Sequence, residues 1–360
     1  MQRLRRVIQS GIESGLHPGA QACVIHQGRL VLNEGFGAAR PGVAMTADSL
    51  VLWMSSGKPV TAVAVLQLIE QQRLTLETRV AEIIPAFAAG GKESITVRHC
   101  LLHTGGFRGP LSNFTPGPWE SIIDRVCALR REPNWTPGEK AGYHVGSSWF
   151  ALGEIVRVLD GEPFDRAVRR RVFGPIDAVD AYIGLPAETA ARYGDRLART
   201  QQTDATPPAA HAAGDVDGYA VARPGANLIA PARQLAEMYV SLLARDGRLL
   251  SGQAIDAMTT RQRRGMFDET FKRTLDWGYG LKLDSKRYDT PGAPGETYGY
   301  GVHASDATFG HAGHQCSCAF ADPVHGLVVA WSCTGMPGEA AHHARQLAIH
   351  AAIYEDLGLV

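Results

Sequence analysis

A helix with no polar face follows a serine and a lysine early in this chain. After Ser55-Ser56-Gly57-Lys58, the run from Pro59 to Ile69 (PVTAVAVLQLI) is almost wholly apolar. Proline is tolerated in the first turn of a helix, so we expect a helix that begins near Pro59. Because such a helix offers no side to water, the fold must bury it in the core.

The spacing of Ser55 and Lys58 indicates chemistry at the start of this helix. Residues three apart share a helical face, so Ser55 Oγ and Lys58 Nζ can meet there. A buried lysine loses hydration, and its ordinary pKa of ~10.4 can fall by several units. A neutral lysine beside a serine can act as its general base. In most Ser-x-x-Lys sequences the lysine lies on a solvated helix face, but the helix that follows Ser55 has no polar face for Lys58. A phosphate-binding loop is excluded because Leu52 and Pro59 stand where it needs glycine and Ser or Thr.

Length and composition limit the classes of function. The 360 residues suffice for two domains or one large domain, and the formal net charge is zero without a basic stripe, so we expect no nucleic-acid partner. The sequence contains no run of eighteen apolar residues, so we expect no membrane span. The charged N-terminus lacks the apolar core of a secretory signal. We therefore expect a cytoplasmic protein whose six cysteines are free thiols in the core.

The order of elements predicts a sheet built from both chain ends. Residues 21–37 and 317–333 each read as two strands, the first pair joined at Gln27-Gly28, and both termini read as helices. The middle is mostly helical, and residues 203–230, rich in Ala, Pro, Gly and Asp, predict a long surface loop. Two sequential domains are the alternative, but the strand-rich ends favour a helical insertion.

Two further stretches have chemical potential. Tyr143 precedes a helix and could relay the serine proton, although a packed aromatic is the commoner role. His311, His314, Cys316 and Cys318 invite a zinc interpretation, but four side chains on one strand cannot all converge on one ion. A glycine-flanked strand edge that lines a site is the better interpretation of this stretch.

A Ser-His-Asp triad is the runner-up catalytic interpretation. The chain has thirteen histidines but no G-x-S-x-G elbow. His99, His103, His342 and His343 lie in helix-like segments and are most simply structural or exposed.

Six segments, in order, give the chain a resemblance to the serine hydrolases of the class C β-lactamase, DD-peptidase and carboxylesterase (SxxK) superfamily. They are HPGAQACVIHQGRLVLNEGFG, SLVLWMSSGKPVTAVAVLQLIEQQRLTLETRVAEIIPAF, ITVRHCLLHTGGF, PGEKAGYHVGSSWFALG, WGYGLKL and FGHAGHQCSCAFADPVHGLVVAW. The resemblance runs from about residue 18 to the C-terminus. It implies an α/β (α+β) fold of the β-lactamase/transpeptidase type, with an antiparallel sheet flanked by helices and an inserted, mostly helical domain.

The domain bounds follow from combining this fold with the element order. We expect residues 1–75 and 225–360 to form the sheet domain and residues 76–224 the insertion, with the active site at their interface. Residues 107–135 and 203–305 are expected to form much of the pocket wall.

The resemblance also implies roles for single residues. Ser55 matches the nucleophile, Lys58 the partner that takes its proton, and Tyr143 the tyrosine of the Tyr-x-Asn element. His311-Ala312-Gly313 matches the Lys-Thr-Gly element in the His-x-Gly form found among esterases. The backbone N–H groups of Ser55 and His314 would form the oxyanion hole. No cofactor and no metal are implied.

Three departures from the family pattern bear on the substrate. Val145 stands in place of the Asn of Tyr-x-Asn, and His311 in place of the lysine that binds a substrate carboxylate. Both argue against β-lactam or peptidoglycan substrates. His314 is bulky where the family has a small residue, which could narrow the acyl pocket. His311, Gly313 and Val145 are therefore the expected substrate-binding positions.

Three functions remain open from the sequence. The first is a hydrolase that cleaves a small-molecule ester, or an amide, through acyl-Ser55. The second is a transacylase that passes the acyl group to an amine or alcohol in a small-molecule pathway. The third is a non-catalytic relative that binds a ligand, which the presence of Ser55, Lys58 and Tyr143 disfavours. The sequence does not predict an oligomeric state.

Overall fold

The computed structural model describes residues 1–114, 117–211, 216–289 and 299–360. The helices are α1 (Gln2–Glu13), α2 (Lys58–Glu70), α3 (Val80–Ile83), α4 (Val97–Leu101), α5 (Trp119–Ala128), α6 (Ser147–Asp160), α7 (Phe164–Val168), α8 (Ala187–Tyr193), α9 (Val216–Ala220), α10 (Ala232–Ala244), α11 (Gly252–Thr259) and α12 (Glu339–Leu357). The strands are β1 (Gly19–His26), β2 (Arg29–Arg40), β3 (Val43–Ala44), β4 (Val51–Leu52), β5 (Tyr182–Ile183), β6 (Gln201–Gln202), β7 (Ala209–Ala210), β8 (Leu228–Ala230), β9 (Arg263–Asp268), β10 (Arg273–Trp277), β11 (Lys282–Leu283), β12 (Phe309–Gly313), β13 (Ser317–Asp322), β14 (Leu327–Cys333) and β15 (Gly335–Met336).

Both chain ends build the largest sheet in the described part of the chain. Its nine strands run in the order β3-β2-β1-β14-β13-β12-β11-β10-β9. The two ends join where β1 pairs antiparallel with β14, from Ala20 opposite Cys333 to His26 opposite Leu327. All of its neighbouring strands pair antiparallel. The predicted antiparallel sheet is confirmed.

The predicted first hairpin forms with its turn at Gln27-Gly28. These two residues have φ angles of 49° and 73°. Positive φ at both central residues is the backbone of a type I′ turn, whose twist matches that of two antiparallel strands. Glycine takes this conformation without strain, so the local sequence fixes the connection between β1 and β2.

Helices cover both faces of the sheet. On one face, Leu4 and Ile8 of α1 pack with Ile349 and Ile353 of α12 over Val329. The opposite face contributes to a larger apolar cluster, which includes α2, α6 and α10. The side chains alternate along β14 because successive residues of a strand point to opposite faces. No helix in the described ranges is both long and apolar enough to cross a membrane.

Helix α2 lies in the middle of the larger cluster, as its apolar sequence predicts. Val60, Val63 and Leu68 have no exposed surface. The same cluster includes residues from 76–224 and from the sheet, so one core is continuous across the expected domain bounds. The division into a sheet domain and an insertion stays a prediction.

The prediction of a surface loop over residues 203–230 is wrong for its second half. Tyr219 is 2% exposed, and β8 is buried where it pairs with β4. The segment also contains β7, α9 and β8. Gly and Pro indicate turns, but burial depends on what packs over the backbone, which composition does not report. Residues 212–215 lie outside the described residues.

All six cysteines are buried free thiols, as predicted. Burial raises the pKa of Cys23, Cys100, Cys316 and Cys318 to about 12. A thiol with such a pKa stays protonated at neutral pH, and the protonated form is a poor nucleophile.

Candidate active site

The turn that carries Ser55 is strained and packed against the sheet. A 3-10 turn, Met54–Gly57, joins β4 to α2, and Met54 has a φ of 47°. A non-glycine residue at such an angle costs about 1–3 kcal/mol and persists only where its surroundings hold it. Ser56 Oγ provides one anchor, because it donates to the carbonyl of His311 at 3.0 Å. Ser317 Oγ provides another, since it donates to the carbonyl of Trp53 at 2.7 Å. Ser55 itself is half-buried.

Lys58 is buried completely, and its amine lies among three oxygens. Nζ lies 3.0 Å from Ser55 Oγ, 3.0 Å from the carbonyl of Val145 and 2.7 Å from the carbonyl of Gly225. Burial holds the pKa of this amine well below its usual range. A neutral amine has two N–H donors and one lone pair. The two carbonyls take both donors, which leaves the lone pair for the hydroxyl proton of Ser55.

Tyr143 completes the group as a protonated phenol. Its side chain is hydrogen-bonded to Ser55, and burial raises its pKa far above the ordinary value. The main chain of Tyr143 is fixed from β9, because its N–H donates to Asp268 Oδ1 at 3.0 Å. The ring lies 4.7 Å from that of Phe271, centroid to centroid. Tyr143 can therefore donate or relay a proton, but it is not a phenolate base.

The end of β12 packs against the turn of Ser55 and leaves no room for a side chain at Gly313. A Cβ atom added to Gly313 would lie 2.2 Å from Ser317 Oγ and 2.4 Å from the carbonyl oxygen of Trp53. Only glycine fits at that separation. His314 follows at the strand end, so its backbone lies in the segment that passes the nucleophile turn.

The segment after β12 is held from α12. Arg345, which is 4% exposed, donates to the carbonyl of Gln315 at 2.8 Å. The side-chain oxygen of Gln315 accepts from the N–H of Gly338 at 2.8 Å. Gln315 has a φ of 48°, and this clamp maintains its strained backbone. Arg345 thus positions the stretch that carries the His314 N–H.

His311 is a neutral, buried imidazole in the same cavity as Ser55. Its Nδ1 lies 2.7 Å from the carbonyl oxygen of Ala312, and its Nε2 has no hydrogen-bond partner among the described residues. Burial holds the pKa of His311 well below its usual range.

The cavity beside Ser55 has a volume of about 160 Å³. It is lined by Ser55, Tyr143, Phe271, Trp277, Lys282, His311, Ala312, Gly313, His314, Gln315, Glu339, His342, His343 and Gln346. Phe271, Trp277 and Lys282 come from the expected wall segment 203–305, whose residues 212–215 and 290–298 lie outside the described part. No described residue of 107–135 lines the cavity, so that part of the prediction is wrong. Helix α12 supplies the wall instead, because its first turns pass beside the end of β12.

The structure places the remaining sequence candidates as follows. Val145 holds Lys58 through its carbonyl, and its side chain is not among those that line the cavity. His314 lies at the cavity mouth with its side chain half exposed, and its Nδ1 is 3.0 Å from Glu339 Oε1.

His311 and Cys318 occupy opposite faces of the sheet, since Cys318 pairs with Ala312. Among the described residues, no group of three or more His, Cys, Asp or Glu could hold a metal ion.

Sequence reasoning took His103 as structural or exposed, and the structure buries it beside Tyr143, a contact that the sequence did not predict. The two ring centroids are 4.7 Å apart, and His103 Nδ1 accepts from the N–H of His144 at 3.0 Å. Burial holds the pKa of His103 well below its usual range, so the ring is neutral and can accept this bond. His103 therefore fixes the main chain next to Tyr143. Its place in the His-Thr-Gly stretch was a signal that could have identified it.

Comparison with known proteins assigns the chain to a family. A family model described as Beta-lactamase matches residues 4–353. The chain belongs to this family. It is 30% identical over 321 residues to Penicillin-binding protein 4 of Amycolatopsis lactamdurans, which covers 87% of this chain and 80% of the relative. It is 26% identical over 320 residues to Esterase/beta-lactamase LipL of Mycobacterium tuberculosis (strain ATCC 25618 / H37Rv), which covers 80% and 70%.

Solved structures confirm the β-lactamase/transpeptidase-like fold. The crystal structure of a family VIII carboxylesterase superposes with a TM-score of 0.78 at 27% identity and covers 98% of this chain and 96% of that one. With the family match, this makes the protein an acyl-enzyme serine hydrolase or transacylase.

Proposed function

We propose that this protein hydrolyses a carboxylic ester, or less readily an amide, through a covalent intermediate on Ser55. The observation that carries the proposal is the cage around Lys58 Nζ, in which two backbone carbonyls bind the amine and Ser55 Oγ is its third neighbour. Burial favours the neutral form of Lys58, and a neutral lysine can take the serine proton. The esterase names of two similar proteins support the ester as the bond cleaved.

The proposed acylation begins at Ser55. Its hydroxyl proton moves to Lys58 Nζ while Oγ bonds to the substrate carbonyl carbon, and the carbonyl oxygen becomes an oxyanion. The backbone N–H groups of Ser55 and His314 stabilise that oxyanion; one such donor contributes about 3–4 kcal/mol in serine hydrolases. When the carbonyl re-forms, the leaving alcohol takes the proton from Lys58 through the phenol of Tyr143.

Deacylation repeats these steps with water as the nucleophile. Lys58 and Tyr143 remove a proton from water, the oxygen bonds to the acyl carbon, and Ser55 leaves with the proton. An amine or alcohol in the place of water would make the enzyme a transacylase. Neither course requires a cofactor. The cytoplasmic location also stays a prediction.

His311 and Val145 support a substrate other than a β-lactam. A neutral imidazole gives a substrate carboxylate no permanent positive charge at position 311. Val145 offers no amide side chain to a peptide-like substrate.

Intact-protein mass spectrometry tests the proposal. Wild type, Ser55→Ala and, as a control, Ser10→Ala on the exposed side of α1 are mixed briefly with p-nitrophenyl acetate and butyrate. We expect an acyl adduct on wild type and Ser10→Ala only, which decays in water. An adduct that persists until an amine or alcohol is added would identify the transacylase. An adduct on Ser55→Ala would refute Ser55 as the acylated residue, and no adduct on any variant would favour the non-catalytic relative.

A further inference from the structure

Tyr143 lies on a segment without regular structure, so contacts from other elements fix its position. Residues 142–146 lie between an isolated bridge at Ala141 and the start of α6, and they form neither helix nor strand. The bridge joins Ala141 to Asp268 at the end of β9. The N–H of Glu269 donates to the carbonyl of Ala141 at 2.9 Å. The segment of Tyr143 is therefore attached to the turn between β9 and β10.

This turn binds both main-chain polar groups of Tyr143. Asp268 Oδ1 accepts from its N–H at 3.0 Å, and Thr270 Oγ1 donates to its carbonyl oxygen at 3.0 Å. Arg108 Nη1 donates to Thr270 Oγ1 at 2.9 Å, which leaves the hydroxyl proton of Thr270 for the carbonyl of Tyr143. Two residues of one turn thus hold the main chain of Tyr143 on both sides.

The Asp268 carboxylate also builds the turn. Its Oδ1 accepts from the N–H groups of Thr270 at 2.9 Å and Phe271 at 3.0 Å, as an aspartate that begins a turn commonly does. Its Oδ2 accepts from Arg263 Nη2 at 2.9 Å, and neither side chain of this ion pair has exposed surface. One buried oxygen, Oδ1, therefore fixes both the residue that carries the phenol and Phe271 of the cavity wall.

The phenol needs this support because its oxygen must meet Ser55. The Tyr143 ring packs against Phe271 and His103, each at a centroid distance of 4.7 Å. These contacts limit the tilt of the ring, but the main chain sets where the ring begins. A misplacement of about 1 Å can lower a rate about a hundredfold. A displaced main chain at Tyr143 would therefore slow proton transfer without removing a group that takes part in it.

We propose that Asp268 and Thr270 are positioning residues for the proton relay of Tyr143. This inference rests on the proposed function and adds the turn between β9 and β10 to the relay. In acylation, Tyr143 gives its phenolic proton to the leaving oxygen and takes one from the Lys58 ammonium, so no proton is gained or lost. Asp268 and Thr270 exchange no proton; they hold the ring from which the proton is transferred.

Two acetate esters that differ in their leaving group test the proposal. The nitrophenolate of p-nitrophenyl acetate departs as a stable anion, whereas the ethoxide of ethyl acetate needs a proton as the bond breaks. For both esters, kcat/KM reports the steps up to release of the leaving group. Thr270 is exposed, so we expect Thr270→Val to fold as wild type does. It should lower kcat/KM about tenfold for ethyl acetate and about threefold for p-nitrophenyl acetate.

Three further variants assign the effect. Asp268→Asn leaves Arg263 without its carboxylate, so it should lower the melting temperature and also lower kcat/KM more for ethyl acetate than for the nitrophenyl ester. Thr270→Ser keeps the hydroxyl and should keep the wild-type ratio of the two esters. Glu269→Gln changes a partly exposed acid of the same turn that pairs with Lys272, and it should leave the ratio unchanged.

A double-mutant cycle with Tyr143→Phe separates positioning from a purely structural role. Tyr143→Phe keeps the ring and the main chain but has no phenolic proton to relay. In that background, Thr270→Val should change kcat/KM for ethyl acetate by less than about twofold, because the two changes act on one step. A structural effect on the cavity would lower it by the same factor in both backgrounds.

The outcomes separate this inference from the function on which it rests. Equal losses for the two esters in Thr270→Val, or a loss that persists undiminished in Tyr143→Phe, would overturn the positioning role and leave acyl-Ser55 chemistry intact. Wild-type rates in Thr270→Val and Asp268→Asn would overturn it as well. No acetyl adduct on wild-type Ser55 with either ester would refute the proposed function itself, and the positioning role with it.

Discussion

Replacing Lys58 with methionine is the most direct test of the proposed base. The side chain is fully buried, and methionine fills a similar volume without the amine that contacts Ser55 Oγ at 3.0 Å. A general base contributes about 10²–10⁴ to a rate, which equals about 2.7–5.4 kcal/mol of barrier. We expect the acylation rate of Ser55 to fall about a thousandfold. The assay is single-turnover acylation by p-nitrophenyl acetate, followed by stopped-flow release of nitrophenolate.

Lys92 provides a matched control for the loss of a buried amine. It has no exposed surface, and its Nζ donates to backbone carbonyls, among them that of Cys127 at 2.9 Å. It lies outside the cavity lining. Each variant leaves buried carbonyls without a donor at a cost of about 1–3 kcal/mol per group, so both should lower the melting temperature. Only Lys58→Met should lose acylation. A Lys58→Met enzyme that acylates within tenfold of wild type, or an equal loss in Lys92→Met, would refute the reasoning.

Three other measurements probe separate features. Tyr143→Phe removes the hydroxyl bonded to Ser55 and should slow acylation about a hundredfold with little change in KM; an unchanged burst rate would exclude the proton relay. Gly313→Ala forces a Cβ to 2.2 Å from Ser317 Oγ and should cost about 1–3 kcal/mol of stability together with most activity, and a full melting temperature would contradict this. The free energy of unfolding, measured in urea, should fall as pH drops from the ordinary histidine pKa of about 6.5, because burial keeps several histidines neutral in the folded state while the unfolded chain takes up protons. Those with folded pKa values near 3 or 4 are His17, His144, His342 and His350. Equal free energies at pH 7 and pH 5 would contradict that account.

Local spacing explains what the sequence predicted correctly. Ser55 and Lys58 are three residues apart at a helix start, so their contact depends on little beyond that helix. The Gln27-Gly28 hairpin is equally local, since two residues set its turn. The catalytic roles of Ser55, Lys58 and Tyr143 stay predictions until variants are measured.

Long-range contacts explain what the sequence could not supply. Gly225 reaches Lys58 across 167 residues and acts through its carbonyl, which every residue type possesses. Arg345 lies on α12 without a motif, and it clamps Gln315 only because the fold brings the two together. The burial of Tyr219 and of β8 was missed for the same reason.

Backbone oxygens hold the amine of Lys58, and this has a consequence for how such an enzyme diversifies. The carbonyls of Val145 and Gly225 belong to the main chain, so a change of side chain at 145 leaves the cradle of the base in place. The side chain at position 145 is then free to change while the carbonyl that binds the base stays in place. A library of substitutions at that position should therefore retain the contact between its carbonyl and Lys58 Nζ.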